Sequence, residues 1–273
     1  MTLALIAGRG DLPALVAAAA DTPPLVCAYE GIALQGLKAD LTFRLETLGS
    51  LLLDLGTRGI TKVCFAGALD RPALDPSKLD AETAPLVPLF MEALKAGDDG
   101  ALRVVVDLFE KTGFAVLGAH EIAPDLLAQG GVYGSLWPDA QMRSDAQMAA
   151  DHLLAMSPLD KGQGCIVTRG RVIAMEDARG TDAMLDGLTE PDGMTQPDSM
   201  TQSGGGILFK APKAGQTRKV DLPTVGPETM DAAHRAGLRG VVVDAGDLLV
   251  LHPEECTIRA DALGLVFWAR TGA

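Results

Sequence analysis

The groups best suited to chemistry are three acids and a run of cations in the second half of the chain. Glu176 and Asp177 end the apolar run "GRVIAMED", and Asp182 follows after "ARGT", so three carboxylates gather in one loop and the helix start it leads to. Hard cations such as Mg2+ take oxygen ligands of this kind, although carboxylates at a helix start also cap free N–H groups. Lys210 and Lys213, with Arg218 and Lys219, form a basic cluster beside Asp221 in a chain that is otherwise acidic. Cations for phosphate oxygens, next to a carboxylate for metal or water, are the parts phosphoryl chemistry needs. In "RKVDLPTVGPET", Leu222 and Pro223 bias the backbone to an extended form, and Gly226 and Pro227 mark a helix N-cap and first helical position. Asp221 comes several residues too early to be that cap, so the turn fixes where it points.

Two glycine turns in the first half offer a different chemistry. In "GRGDLP", Gly8 and Gly10 stand between an apolar run and an alanine-rich helix, where backbone N–H groups and a helix N-terminus suit a phosphate. Pro13 occupies the place of the third glycine of a dinucleotide fingerprint, while Glu30 falls about twenty residues on, where a ribose-binding acid belongs. The turn therefore fits a tight bend in an ordinary sheet, a nucleotide or sugar-phosphate site, or a nicotinamide site. In "GALDRP", Arg71 fits a bidentate phosphate clamp or a surface pair with Asp70 or Asp75. Asp98 and Asp99 in "AGDDGA" fit a helix cap better than a metal site. The four histidines show no HExxH spacing and no GxSxG element appears, so neither a zinc protease nor a serine hydrolase is indicated.

The elements that must position these groups follow from hydrophobic patterning. "LALIA", "PLVCAY", "KVCFAG" and "FAVLGA" are short apolar runs alternating with helical stretches, the signature of βαβ units and a parallel sheet. "GCIVTRGRVIAME" reads as a hairpin turning at Arg169 and Gly170, and "GILFKAPK", "GVVVDAGDLLVLHP" and "LGLVFWA" supply further strands around the helix "MDAAHRAGL". The expected fold class is α/β, with a Rossmann-like parallel-sheet domain over 1–130, a linker over 131–144 and an α+β domain over 145–273. The near-repeat "PDGMTQ", "PDSMTQ" reads as a loop.

Composition narrows the partners. Against 23 Lys and Arg stand 36 Asp and Glu, a net charge of −13, so sequence-independent attraction to nucleic acid or anionic lipid is not expected. Cys27, Cys64, Cys165 and Cys256 lie far apart, the first three inside apolar runs, and read as buried thiols. The N-terminus meets Arg9 and Asp11 too early for a signal peptide, and no run approaches ~20 apolar residues, so a cytoplasmic protein without a membrane span is expected.

Taken together and in order, "IAGRGDLP", "FAGALDRP", "KAGDDGALRVVV", "LDKGQGCIV", "IAMEDARGTDAML" and "RKVDLPTVGPET" resemble the UDP-2,3-diacylglucosamine diphosphatases of the LpxI type, from lipid A synthesis, almost end to end. The resemblance implies Mg2+-dependent hydrolysis of the pyrophosphate to UMP and 2,3-diacylglucosamine 1-phosphate (lipid X), with water directed at the phosphorus nearer the sugar. It implies two domains with the ligand held in a cleft between them, a homodimer, and peripheral contact with the inner membrane at most. Catalytic and metal-linked roles fall on Asp221, Asp182 and Glu176. Substrate contacts fall on Gly8, Gly10, Asp11, Arg71, Gln163, Thr181, Lys210, Lys213, Gln216 and Thr224. The rival expectations are a nicotinamide-dependent oxidoreductase and a non-catalytic carrier of acylated sugar phosphates.

Overall fold

The computed structural model describes residues 2–69, 74–95, 98–157, 162–188 and 205–271, with the backbone alone at 94, 95, 98 and 99. The chain divides into two compact units, Met1–Pro124 with Thr217–Asp221, and Asp125–Gln216 with Leu222–Ala273.

In the first unit, strands β1 (Thr2–Ala7), β2 (Leu25–Tyr29), β3 (Leu41–Phe43), β4 (Ile60–Ala66) and β5 (Ala115–Leu117) form one sheet in the order β3-β2-β1-β4-β5. Every neighbouring pair is parallel. The central strands read as unbroken apolar runs because both faces of such a sheet are covered. Its helices are α1 (Leu12–Ala19), α2 (Leu48–Thr57), α3 (Val87–Lys95), α4 (Asp98–Lys111) and the single turn α5 (Ala119–Ile122). In α2, Leu48, Leu51, Leu52 and Leu55 fall at helical spacing and are all buried in the core, each contributing about 1.5–3 kcal/mol of burial. Phe65 meets Phe109 of α4 edge-on, with ring centres 5.1 Å apart.

The strand order reverses between β1 and β4, the place where open α/β sheets take ligands. There the loops that leave the two strands pair with each other. Gly8 N–H donates to the Ala66 carbonyl at 2.8 Å, and Arg9 and Ala68 exchange backbone hydrogen bonds of 2.8 and 3.0 Å. A Cβ on Gly8 would lie 2.5 Å from the Ala68 oxygen, so the glycine is required by this loop-to-loop approach. The short segment 217–221 belongs to the same unit. Val220 packs on the core formed with Phe109 and Phe114, and Lys219 pairs with Glu110 of α4 at 2.5 Å.

The second unit holds a six-stranded mixed sheet of β6 (Gly131–Tyr133), β7 (Gly164–Thr168), β8 (Arg171–Met175), β9 (Ile207–Lys210), β11 (Gly240–Asp244) and β13 (Val266–Arg270), ordered β6-β13-β11-β9-β7-β8. β9, β11 and β13 run parallel, whereas the β7–β8 hairpin and edge strand β6 join antiparallel. Between them β10 (Thr224–Val225) and β12 (Leu249–Val250) make a small parallel pair. Helix α6 (Ala140–Met156) covers one face through Met142, Ala146, Ala149 and Leu153. On the other face α7 (Gly180–Asp186), α8 (Pro227–Arg235) and α9 (Pro253–Leu263) cover the sheet through Leu185, Met230, Ala233, Cys256 and Ala260.

The stretch 131–144, expected as a linker, is instead part of this unit. Residues 131–133 form β6, whose Tyr133 stacks on Phe267 at 4.6 Å, and Asp139 caps α6 by accepting from Met142 N–H at 2.7 Å. A strand of three residues among glycines is too short to show a period-2 pattern, which is why the sequence alone reads it as loop. The "PDGMTQ" repeat lies outside the described residues.

Candidate active site

The second unit assembles a polar cluster where β8 and β9 end. β8 delivers Glu176, its first residue past the strand, and the neighbouring β7 begins at the same end with Gly164. The Glu176 backbone N–H donates to the Gly164 carbonyl at 2.9 Å, which locks the hairpin's open end. The side chain then turns back onto the "GQG" segment. One carboxylate oxygen accepts from the Gln163 backbone N–H, and the other accepts from the Thr181 hydroxyl in the first turn of α7, each at 3.2 Å. A Cβ on Gly164 would stand 2.9 Å from a Glu176 carboxylate oxygen and 3.4 Å from Cγ of Lys210. The absent side chain is therefore what lets the acid and the lysine stem flank the same residue.

Lys210 is the last residue of β9, pairs across the sheet with Gly164 and Val243, and is only 8% exposed. Its Nζ donates to the Thr224 backbone carbonyl at 3.2 Å, so β10 holds the ammonium through main chain. A buried ammonium must be hydrogen-bonded or neighboured by negative charge, and one at the carboxyl end of a parallel strand lies where α/β sheets bind anions. Gln163 ties the cluster together from behind, its carbonyl accepting from Ala211 N–H at 3.0 Å.

The other expected site residues divide as follows. Asp182 is exposed in the first turn of α7. Asp177 is bound to Arg179 at 2.7 Å on the surface, and those hydrogen bonds hold its carboxyl down at about 2. Lys213 and Gln216 close a turn on each other, the Gln216 side-chain oxygen accepting from Lys213 N–H at 2.9 Å. Asp221 is half-buried at the end of the 217–221 segment of the first unit, the unit that also holds Gly8, Gly10 and Asp11. Asp11 precedes α1 without capping it, and Glu30, the ribose acid of the nicotinamide expectation, faces Arg44 at 3.8 Å. Arg71 lies outside the described residues. Thus Gln163, Glu176 and Thr181 meet directly, Lys210 meets Thr224, and Gly164 joins the two sets.

Among the described residues no three His, Cys, Asp or Glu side chains are arranged to hold a metal ion. The donor chemistry at Glu176 nonetheless fits Mg2+, which keeps several waters and takes one or two carboxylates together with substrate phosphate oxygens. Of a carboxylate's roughly four lone-pair positions, Glu176 uses two. Sequence reasoning missed one participant: Gly164 was visible only as the start of the β-type run "GCIVT". The His120 ring and the Arg218 carbonyl both lie against Gly118 within the first unit, and the His120 Nδ1 is buried and without a hydrogen-bond partner among the described residues. The four cysteines are all buried, and desolvation pushes each thiol up to about 12, leaving them inert at neutral pH. Among the described residues no helix is long and apolar enough to cross a membrane.

A parallel-sheet unit and a mixed-sheet unit, the latter placing a carboxylate and a buried ammonium at its strand ends, define a two-unit α/β protein. The LpxI N-terminal domain family matches residues 2–126 and the LpxI C-terminal domain family matches residues 129–268. A Caulobacter vibrioides protein named UDP-2,3-diacylglucosamine pyrophosphatase LpxI is 39% identical over 217 residues, spanning 80% of this chain and 77% of that protein. The chain belongs to the LpxI family.

Proposed function

We propose that this chain hydrolyses the pyrophosphate bond of UDP-2,3-diacylglucosamine to UMP and 2,3-diacylglucosamine 1-phosphate in lipid A synthesis. The observation that carries the reading is that the Glu176 carboxylate and the stem of buried Lys210 both lie against Gly164, in a member of the LpxI family. A pyrophosphate brings concentrated negative charge, which an ammonium of fixed position stabilises more as charge shifts to the leaving phosphate. Lys210 supplies that charge, held by the Thr224 carbonyl. Glu176, Asp182 and Asp221 are the carboxylates assigned to metal or water, and Glu176 is held by two donors. Mg2+, if held at Glu176, would further neutralise the phosphate oxygens. Water adds its oxygen to the phosphorus nearer the sugar, the bond from that phosphorus to the bridging oxygen breaks, and UMP leaves with the bridge.

The acyl chains ask for apolar surface, and peripheral contact with the inner membrane, in this reading, goes through side chains such as exposed Leu136 and Trp137 and not through net charge. Vesicle binding that survives high salt fits this, and binding abolished by modest salt contradicts it. A homodimer in the cytoplasm completes the proposal, checked by light scattering at micromolar protein.

The deciding experiment incubates the purified chain with UDP-2,3-diacylglucosamine and Mg2+ in 18O-labelled water. Label in the lipid phosphate is expected, label in UMP moves the attack to the other phosphorus, and absence of UMP overturns the assignment. Thermal stabilisation by NAD without hydrolysis would restore the oxidoreductase reading.

A further inference from the structure

Two buried acids serve the architecture of this protein. Asp145, 4% exposed, accepts from the Arg169 and Gly170 backbone N–H groups and from the Gln141 side chain. Glu46, also 4% exposed, accepts from the Asp75 backbone N–H at 2.7 Å, and this bond holds its carboxyl below the usual range. Glu176 differs in being half-buried, with one donor on each oxygen. Its surroundings are shaped to it. A Cβ on Gly162 would lie 2.3 Å from the Glu176 carbonyl oxygen, and one on Gly164 would press its carboxylate. The "GQG" segment thus gives way on both sides and offers the Gln163 N–H in the middle.

Hydrogen-bond polarity then decides what Thr181 can do. A carboxylate only accepts, so the Thr181 hydroxyl must place its single proton on Glu176. Phosphate oxygens likewise only accept, and a hydroxyl committed in this way has no proton left for one. We propose that Thr181 is a positioning residue acting through Glu176, holding one carboxylate oxygen while the Gln163 N–H holds the other, so that the remaining lone pairs keep a fixed direction. The proposal rests on the reading that Glu176 serves the pyrophosphate reaction, and it replaces a substrate contact at Thr181 with an indirect role. A misaligned catalytic carboxylate loses rate while the substrate's own contacts are kept.

The test is a double-mutant cycle of Thr181→Val and Glu176→Gln with Thr181→Ser as the conservative variant, each first checked by thermal melting. Thr181→Val is expected to lower kcat about 10-fold or more with KM within about threefold, Thr181→Ser to recover most of the loss, and Thr181→Val to add less than about twofold in the Glu176→Gln background. Losses that multiply across the cycle, or a rise in KM at unchanged kcat, would show that Thr181 meets substrate itself and overturn the proposal. Failure of the functional reading is separable, because then the wild type releases no UMP, or Glu176→Gln hydrolyses at the wild-type rate. In that event crystal structures still decide the positioning role: in Thr181→Val the Glu176 carboxylate should leave the Gln163 N–H, and an unmoved carboxylate rejects it.

Discussion

Asp145 accepts a hydrogen bond from the Gly170 backbone N–H at 2.6 Å, and its other oxygen accepts from Arg169 N–H at 3.0 Å. One carboxylate on α6 therefore closes the tight turn of the β7–β8 hairpin, where Arg169 adopts a left-handed φ of 49° that non-glycine residues avoid. Replacing Asp145 by Ala leaves two turn N–H groups without their acceptor and is expected to destabilise the second unit by about 1–3 kcal/mol in urea unfolding. Unchanged unfolding would show that the turn holds itself.

Gly164 separates stability from activity. The atom a new Cβ would crowd most closely is the carboxylate end of Glu176, which can swing away at small energetic cost. Gly164→Ala is expected to shift unfolding by less than about 1 kcal/mol yet lower the hydrolysis rate about 10-fold or more, because the carboxylate moves. A variant with native rate would show that Glu176 tolerates a different orientation.

Asp221 is carried by a segment anchored in the first unit through Val220 and the Lys219–Glu110 pair. Asp221→Ala leaves those anchors in place, and thermal melting checks that the variant is folded. Its hydrolysis rate is expected to fall at least ~10²-fold, as for loss of a group that orients water or metal. Activity within about threefold of wild type rejects the role.

His120 predicts a pH effect confined to the first unit. Burial first, and the Arg218 charge second, hold its imidazole below the ordinary value. The folded state then binds this proton more weakly than the unfolded chain, so the stability associated with neutral His120 is present above the unfolded pKa of about 6.5 and is lost as pH falls through and below it. The melting temperature should drop between about pH 7.5 and 5.5, and His120→Gln should flatten that drop. Glu46, whose carboxyl is held low, loses its contribution in a separate window beginning near pH 4. A wild-type profile that is flat across the first window removes His120 from the account.

Much of the fold was legible because local chemistry and fold agree. "LALIA" and "KVCFAG" read as strands since a parallel sheet buries both faces, and Arg169-Gly170 between two β-type runs read as a hairpin for its turn residues. β6 was not legible, because three residues paired to a strand far along the sequence carry no period of their own. Nor was the membership of 217–221 in the first unit, which depends on Val220 finding a core built about a hundred residues earlier.

The site shows the same division. The sequence by itself determined the residue types: acids after the hairpin, a lysine closing an apolar strand, glycines on either side of Gln163, and their order along a chain that resembles one family. Tertiary structure alone decided that Gly164 lies against both Glu176 and Lys210, and that the Thr181 proton goes to the carboxylate. It also decided that Asp177 pairs with Arg179. The reason is physical. Residue type fixes charge, donor count and local backbone preference, whereas hydrogen-bond partners and exposure are fixed by strand register and helix packing, which depend on contacts between residues far apart in the chain.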